Sequence, residues 1–154
     1  EEYGILKSLL TTTEYDSARA STLNAHFTDK SVIDAMYKVL NNLGFTKGNI
    51  LEPSMGIGNF FSRLPADMSA SRLYGVELDP VTGKMAQLIY PDAHIDVKGY
   101  EKTDFRIDFL IVAIGNVPFG QYKVLDKSYD KHNFYIHDYF FAKTIRQGAS
   151  GRSG

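Results

Sequence analysis

The run Phe109-Leu-Ile-Val-Ala-Ile-Gly115 constrains this chain more than any other stretch. It is almost wholly apolar and has the length of one strand. Side chains on both pleat faces avoid water, so the run suits a central parallel strand covered on both sides. Crossover helices supply such cover, and the expected class is α/β. Three more segments read as strands: Asn49-Ile-Leu-Glu-Pro53, Leu73–Asp79 and His94–Lys98.

Helical patterns alternate with these strands. Residues 1–27 read as an N-terminal helical segment, with Thr12 or Thr13 capping a run over Glu14–Leu23. A second helix starts at Thr28, places Ile33, Met36, Leu40 and Leu43 on one buried face, and stops at Asn41, Asn42 and Gly44. Asn59–Leu64 opens a helix after a glycine-rich turn, and Pro80 suits the first turn of another that runs to about Tyr90. Residues 116–133 read as a long loop and Tyr135–Ile145 as a final helix. The core is expected over 28–146, and residues 147–154 form a small, polar tail of linker composition.

Composition narrows the function classes. The 154 residues amount to about one domain, and Lys+Arg 17 against Asp+Glu 18 gives a net charge of −1. That balance argues against coating a polyanion through bulk charge. The absence of Cys excludes disulfides, thiolate metal sites and Cys nucleophiles. No apolar run approaches the roughly 18 residues of a membrane span, and no signal peptide is evident, so a cytoplasmic protein is expected.

In a parallel sheet, ligands bind beyond the carboxyl ends of the strands. Three constellations fall there. The first is Leu51-Glu-Pro-Ser-Met-Gly-Ile-Gly58, where Gly56 and Gly58 allow a sharp turn close to a ligand. Phe61 stands where a dinucleotide fingerprint would have its third glycine, so a plain strand-to-helix turn is the competing reading. The second is Glu77, 21 positions after Gly56, where a carboxylate can accept both hydroxyls of a ribose; a solvated loop carboxylate explains it equally well in isolation. Asp79 reads as the cap of the Pro80 helix.

The third is Asn116-Val-Pro-Phe119, directly after the apolar strand. The Asn116 amide oxygen and a nearby main-chain carbonyl can accept both protons of a planar –NH₂, while Phe119 stacks on the ring that bears it. A turn with a buried Phe is the simpler account of these four residues alone. Their order after the glycine turn and the strand-end Glu favours the chemical one.

Taken together, Leu-Glu-Pro-x-x-Gly-x-Gly, Gly-Val-Glu-Leu-Asp and Gly-Asn-x-Pro-Phe resemble motifs of the S-adenosylmethionine-dependent amino methyltransferases. More narrowly they resemble the γ-type N6-adenine DNA methyltransferases, with Ala25-His-Phe-Thr28 similar to that group's motif upstream of the glycine loop. The stretch 116–143 is similar to methylase domains fused to helicase-like proteins of phages and mobile elements. The resemblance covers about residues 15–146.

It implies a Rossmann-like class I methyltransferase fold with helices on both faces and S-adenosylmethionine as cofactor; no metal is expected, since His26, His132 and His137 are scattered along the chain. Phe27 and Thr28 would meet the cofactor's methionine end. Glu52, Pro53, Ser54, Gly56 and Gly58 would form the loop around its methionine and ribose, Glu77 would hold the ribose, and Leu78 would pack on its adenine. Asn116, Val117, Pro118 and Phe119 would receive the target adenine of DNA, Val117 through its carbonyl. For the remaining contact to the cofactor adenine, spacing favours Tyr100 or Glu101 and residue type favours Asp104; Glu101 is the expected contact.

Two departures bear on function. Val117 replaces the family's usual first proline, and the family core has seven strands where this chain supplies four. A truncated core is therefore expected, able to bind cofactor but short of full activity on DNA, with the edge of its fourth strand exposed to self-pairing. The competing functions are a methyltransferase-like module without turnover and an enzyme acting on another planar amine or amide, such as an RNA base or glutamine. The Lys123, Lys127 and Lys131 loop, with Tyr122 and Tyr129, is a candidate contact to phosphates and unstacked bases.

Overall fold

Local sequence sets most element boundaries. The structure, a computed structural model, describes residues 2–16, 28–105 and 112–148. Helix α1 spans Glu2–Leu9, and residues 12–16 are helical again. Thr11, rather than Thr12 or Thr13, caps that second piece: its amide donates to Glu14 Oε2 at 3.0 Å and the Glu14 amide donates to Thr11 Oγ1 at 3.3 Å. This reciprocal pair is a capping box, and its Thr-x-x-Glu spacing is the signal that selects Thr11.

Helix α2 covers Lys30–Asn42, two residues later than Thr28, because the Asp29 carboxylate caps it by accepting from the Ser31 amide at 2.8 Å. Gly44, at φ +84°, ends it: Gly44 N–H donates to Asn41 O and Phe45 N–H to Leu40 O, the paired bonds of a Schellman motif. The buried face of α2 is built on Ile33 and Tyr37, with Met36 and Leu40 beside them; Leu43 is exposed, since it lies past the last helical turn.

Four parallel strands follow, β1 Asn49–Glu52, β2 Arg72–Glu77, β3 His94–Val97 and β4 Val112–Ala113, in the order β3-β2-β1-β4. Helix α3, Pro80–Ile89, joins β2 to β3; its first turn holds Pro80, and Asp79 caps it through the Thr82 amide at 2.8 Å. Helix α4 spans Ile136–Gly148. Phe109–Ile111 of the expected fourth strand, like Phe27, lie outside the described residues. Among the described strands β4 is an edge, and Ala113 is exposed, so double cover reaches Ile114 but not its neighbour.

The sheet is packed on both faces. Ile50 and Ile114 join Ile33 and Tyr37 of α2, while Ile95 joins Ala86 of α3 with Met55 and Phe61. On the opposite face Leu51, Val76 and Tyr100 meet Ile136, Tyr139 and Phe140 of α4. Each such side chain, fully buried, contributes about 1.5–3 kcal/mol of transfer free energy.

One expected helix is absent. After the glycine turn the chain forms only a 3-10 turn, Phe61–Arg63. Leu64 sits at φ −57°, ψ 122°, the extended geometry that a following proline, Pro65, imposes. Phe60 and Phe61 also enter different core clusters, Phe60 against Ile50 and Phe61 against Ala86. Too few residues remain between Gly58 and Pro65 for a helix to propagate.

Candidate active site

All four strands point the same way, so Glu52, Glu77, Gly99–Glu101 and Asn116–Phe119 emerge at one edge of the sheet. The loop after β1 is shaped by Gly56 at φ +55° and Gly58 at φ +83°, values that L side chains rarely adopt. Met55 N–H donates to Val76 O at 3.0 Å, and the Met55 sulfur lies over Gly75, where no Cβ would fit. The loop is thereby tied across β2. Gly56 has open space where a Cβ would stand, whereas Gly58 is covered by the Tyr90 ring.

The Glu77 carboxylate is gripped at both oxygens. Gly56 N–H donates to Oε2 at 2.8 Å and Asp79 N–H to Oε1 at 2.8 Å. Each carboxylate oxygen keeps a further acceptor site. Leu78, next to it, is exposed.

Glu52 is the unusual group. It is 2% exposed, and its Oε2 has no hydrogen-bond partner among the described residues. Burial drives its carboxyl well above the usual carboxylate range; the Glu77 charge adds to this, and backbone donors at Phe60 and Phe61 offset part of it. A buried carboxyl with one idle oxygen matches a cationic donor, because an ammonium would both ionise it and satisfy it. The open side of Gly56, the spare acceptor sites of Glu77 and the idle Glu52 oxygen fit the ammonium, ribose and backbone contacts of an aminoacyl nucleoside such as S-adenosylmethionine. Pro53 is buried beneath this loop, and Ser54 and Thr28 are half-buried.

At the end of β3 the three alternatives separate. Tyr100 is turned into the core: its hydroxyl donates to Gln147 Oε1 at 2.8 Å, pairs with Thr144 Oγ1 at 2.9 Å, and is pushed up to about 12 by burial. It therefore does not face a ligand. The Glu101 carboxylate folds back against Gly99. Glu101 and Asp104 both line a polar cavity of about 360 Å³ shared with Asp126, Lys143 and Arg146.

Asn116 and Phe119 are exposed, while the Val117 side chain packs on the α4 face of the core. Packing thus anchors Val117, a role that its side chain, unlike the expected carbonyl role, makes visible. Phe119 is 71% exposed and stacks with His137, ring centroids 5.7 Å apart at 28°. Sequence reasoning missed His137, since nothing local links it to Phe119. It also missed Lys143, 5% exposed, whose Nζ donates to Tyr100 O at 2.8 Å and lies 3.5 Å from Asp126. A tyrosine four positions earlier, Tyr139 on the same helix face, was the available signal. Of the loop aromatics, Tyr122 is exposed, but Tyr129 packs edge-on against Tyr139 and is not free to stack on a base.

No protein-family model matches the chain. It is 27% identical over 101 residues to the defense against restriction protein B of Escherichia phage P1, covering 64% of this chain and 4% of that protein. It is 38% identical over 61 residues to the type II methyltransferase M.CvrRI of Paramecium bursaria Chlorella virus XZ-6E, covering 40% of this chain and 16% of that one. The chain thus spans a small part of the curated relatives it matches. Among solved structures it superposes on a Methanococcus maripaludis protein provisionally assigned as an S-adenosyl-L-methionine-dependent methyltransferase. The TM-score is 0.56 at 13% identity, over 90% of this chain and 58% of that one. That likeness establishes the Rossmann-like methyltransferase fold. Among the described residues no helix is long and apolar enough to cross a membrane.

Proposed function

We propose that this chain is the cofactor-binding and catalytic part of an S-adenosylmethionine-dependent methyltransferase that acts on the exocyclic N6 amine of adenine in DNA. The observation that carries the reading is the pairing of β4 with β1. Ile114 N–H donates to Leu51 O at 2.9 Å, so the segments leading to Asn116 and Glu52 leave the sheet side by side. A Cβ on Gly115 would stand 3.4 Å from Pro53 Cδ and 3.5 Å from Glu52 Cγ. The amine-accepting motif and the proposed cofactor loop are neighbours.

The cofactor, when bound, supplies an electrophilic methyl group on a sulfonium. Glu52, Ser54, Gly56, Glu77 and Leu78 would hold it, with Glu101 beside them. The target base has to leave the duplex stack, at a cost of a few kcal/mol, and the exposed face of Phe119 recovers part of that by stacking. Asn116 Oδ1 and the Val117 carbonyl accept hydrogen bonds from the two amine N–H groups and aim the nitrogen lone pair. Catalysis is then positioning, with the amine proton passing to solvent after transfer, and no strong general base is needed.

The names of the two viral relatives support the DNA setting, and a role in restriction or in defence against it is part of the proposal. The deciding experiment is a labelled-methyl assay on duplex DNA, with Asn116→Ala as control and the labelled position identified by nucleoside analysis. Label on N6-methyl-2′-deoxyadenosine that disappears in the variant supports the reading. Label elsewhere, or equal incorporation by both proteins, overturns it.

A further inference from the structure

The loop between Gly58 and Leu64 lacks the helix that would ordinarily orient its peptide groups. Two tyrosines from outside the loop hold it instead. Tyr37, on α2 and 1% exposed, donates its hydroxyl to Phe60 O at 3.0 Å. Tyr90, at the end of α3, donates to Gly58 O at 2.8 Å, and Ser62 N–H donates to the same oxygen at 3.0 Å. The Tyr90 ring also covers Gly58 and meets Phe61 edge-on, centroids 5.6 Å apart at 85°.

A trans peptide is planar, with its C=O and N–H pointing in opposite directions. Holding Phe60 O toward Tyr37 therefore turns the Phe61 N–H the other way. That N–H is one of the two backbone donors facing the Glu52 carboxyl. Holding Gly58 O toward Tyr90 fixes the Asn59 N–H in the same manner. The two phenols approach the loop from separate helices and meet it on either side of Asn59.

We propose that Tyr37 and Tyr90 are positioning residues for cofactor binding: by holding the Phe60 and Gly58 carbonyls they keep the β1 loop and Glu52 in the shape that receives the cofactor. This rests on the assignment of that loop to S-adenosylmethionine. The pair replaces, through side chains 23 and 32 positions away, the orientation that a helix would have supplied through its own backbone.

The test is calorimetric titration of S-adenosylmethionine into the whole chain, across a pH series. The proteins compared are the unsubstituted chain, Tyr37→Phe, Tyr90→Phe and Phe140→Leu. The first two variants keep the rings and remove only the hydroxyls. Each is expected to weaken binding by about three- to tenfold, the worth of one hydrogen bond. Tyr37→Phe should also move the pH midpoint of binding upward, because the Phe61 N–H is released from Glu52. Among the described residues, the ionisable groups that act on Glu52 or feel its charge are Tyr37 of α2, Tyr90 at the end of α3 and Glu77 of β2.

Phe140→Leu, in the core on the opposite face of the sheet, lowers the melting temperature and should leave affinity and midpoint unchanged. Tyr90 is only half-buried, so Tyr90→Phe carries the expectation even if Tyr37→Phe does not fold. Binding by Tyr90→Phe within twofold of the unsubstituted chain overturns the inference alone. No binding by the unsubstituted chain overturns the cofactor assignment and the inference with it.

Discussion

The Gly56 amide donates to Glu77 Oε2 at 2.8 Å, fastening the loop after β1 to the end of β2. The same carboxylate is proposed to take the ribose. Glu77→Ala should therefore both loosen the loop and lower affinity for S-adenosylmethionine by about tenfold or more, since hydrogen bonds to a charged acceptor are the stronger kind. Calorimetry measures the loss. Unchanged affinity would place the ribose elsewhere.

Gly58 has two reasons to be glycine, φ +83° and the Tyr90 ring against its α-carbon. Gly58→Ala is expected to cost about 1–2 kcal/mol for the left-handed backbone alone. The ring clash adds to it. Combining Gly58→Ala with Tyr90→Leu should cost less than the sum of the two single changes, because the ring is then gone. Denaturant unfolding of the four proteins gives the coupling, and strict additivity would show that the ring yields freely.

Glu52 makes stability depend on pH in a defined direction. Its carboxyl in the folded chain lies above the ordinary value of 4.5, so in that window the folded state binds more protons than the unfolded state. Stability should fall as pH rises from that value through the folded one. Glu52→Gln should remove this slope. Cofactor affinity runs the opposite way, rising with pH as the carboxylate forms to meet the ammonium, and Glu52→Gln should flatten and weaken it. Unfolding curves and titrations from pH 4 upward, about one unit apart, read both effects.

In the proposed mechanism Asn116 acts on the substrate amine and not on the cofactor. Asn116→Ala is expected to cut methyl transfer at least about 10²-fold while leaving S-adenosylmethionine affinity unchanged. Phe119→Ala should chiefly raise KM for DNA, because the proposal assigns its exposed ring to stacking on the base. Parallel losses of cofactor affinity in both variants would argue against this division of labour.

Lys143 is structural. Burial holds its ammonium below the usual lysine range, and its Nζ bonds Tyr100 O beside Asp126. Lys143→Met keeps the length of the side chain but leaves the Tyr100 carbonyl and the Asp126 carboxylate without this donor. A loss of about 1–3 kcal/mol in unfolding free energy is expected, without a change in cofactor affinity.

Much of the fold was legible because it is written locally. The strand ends at Glu52 and Glu77, the Asp79 cap, Pro80 at the start of α3 and Gly44 at the end of α2 are each set by one or two neighbouring residues. The helix expected to open at Asn59–Leu64 did not form, and Pro65, which ends the segment, is the local reason. The candidate site was half legible. Gly56, Glu77 and Asn116 stand in motifs, whereas Tyr37, Tyr90 and His137 do not.

The sequence by itself determined the class of fold and the order of the strands' chemistry, because strand length, apolar runs and turn glycines act over a few residues. The tertiary structure alone decided what surrounds that chemistry. It buried Glu52 with an idle oxygen, turned Tyr100 away from the site, set His137 against Phe119, and brought two tyrosine hydroxyls onto the glycine loop. Burial and hydrogen-bond direction depend on which distant segments arrive at the same place, and no spacing along the chain encodes that meeting.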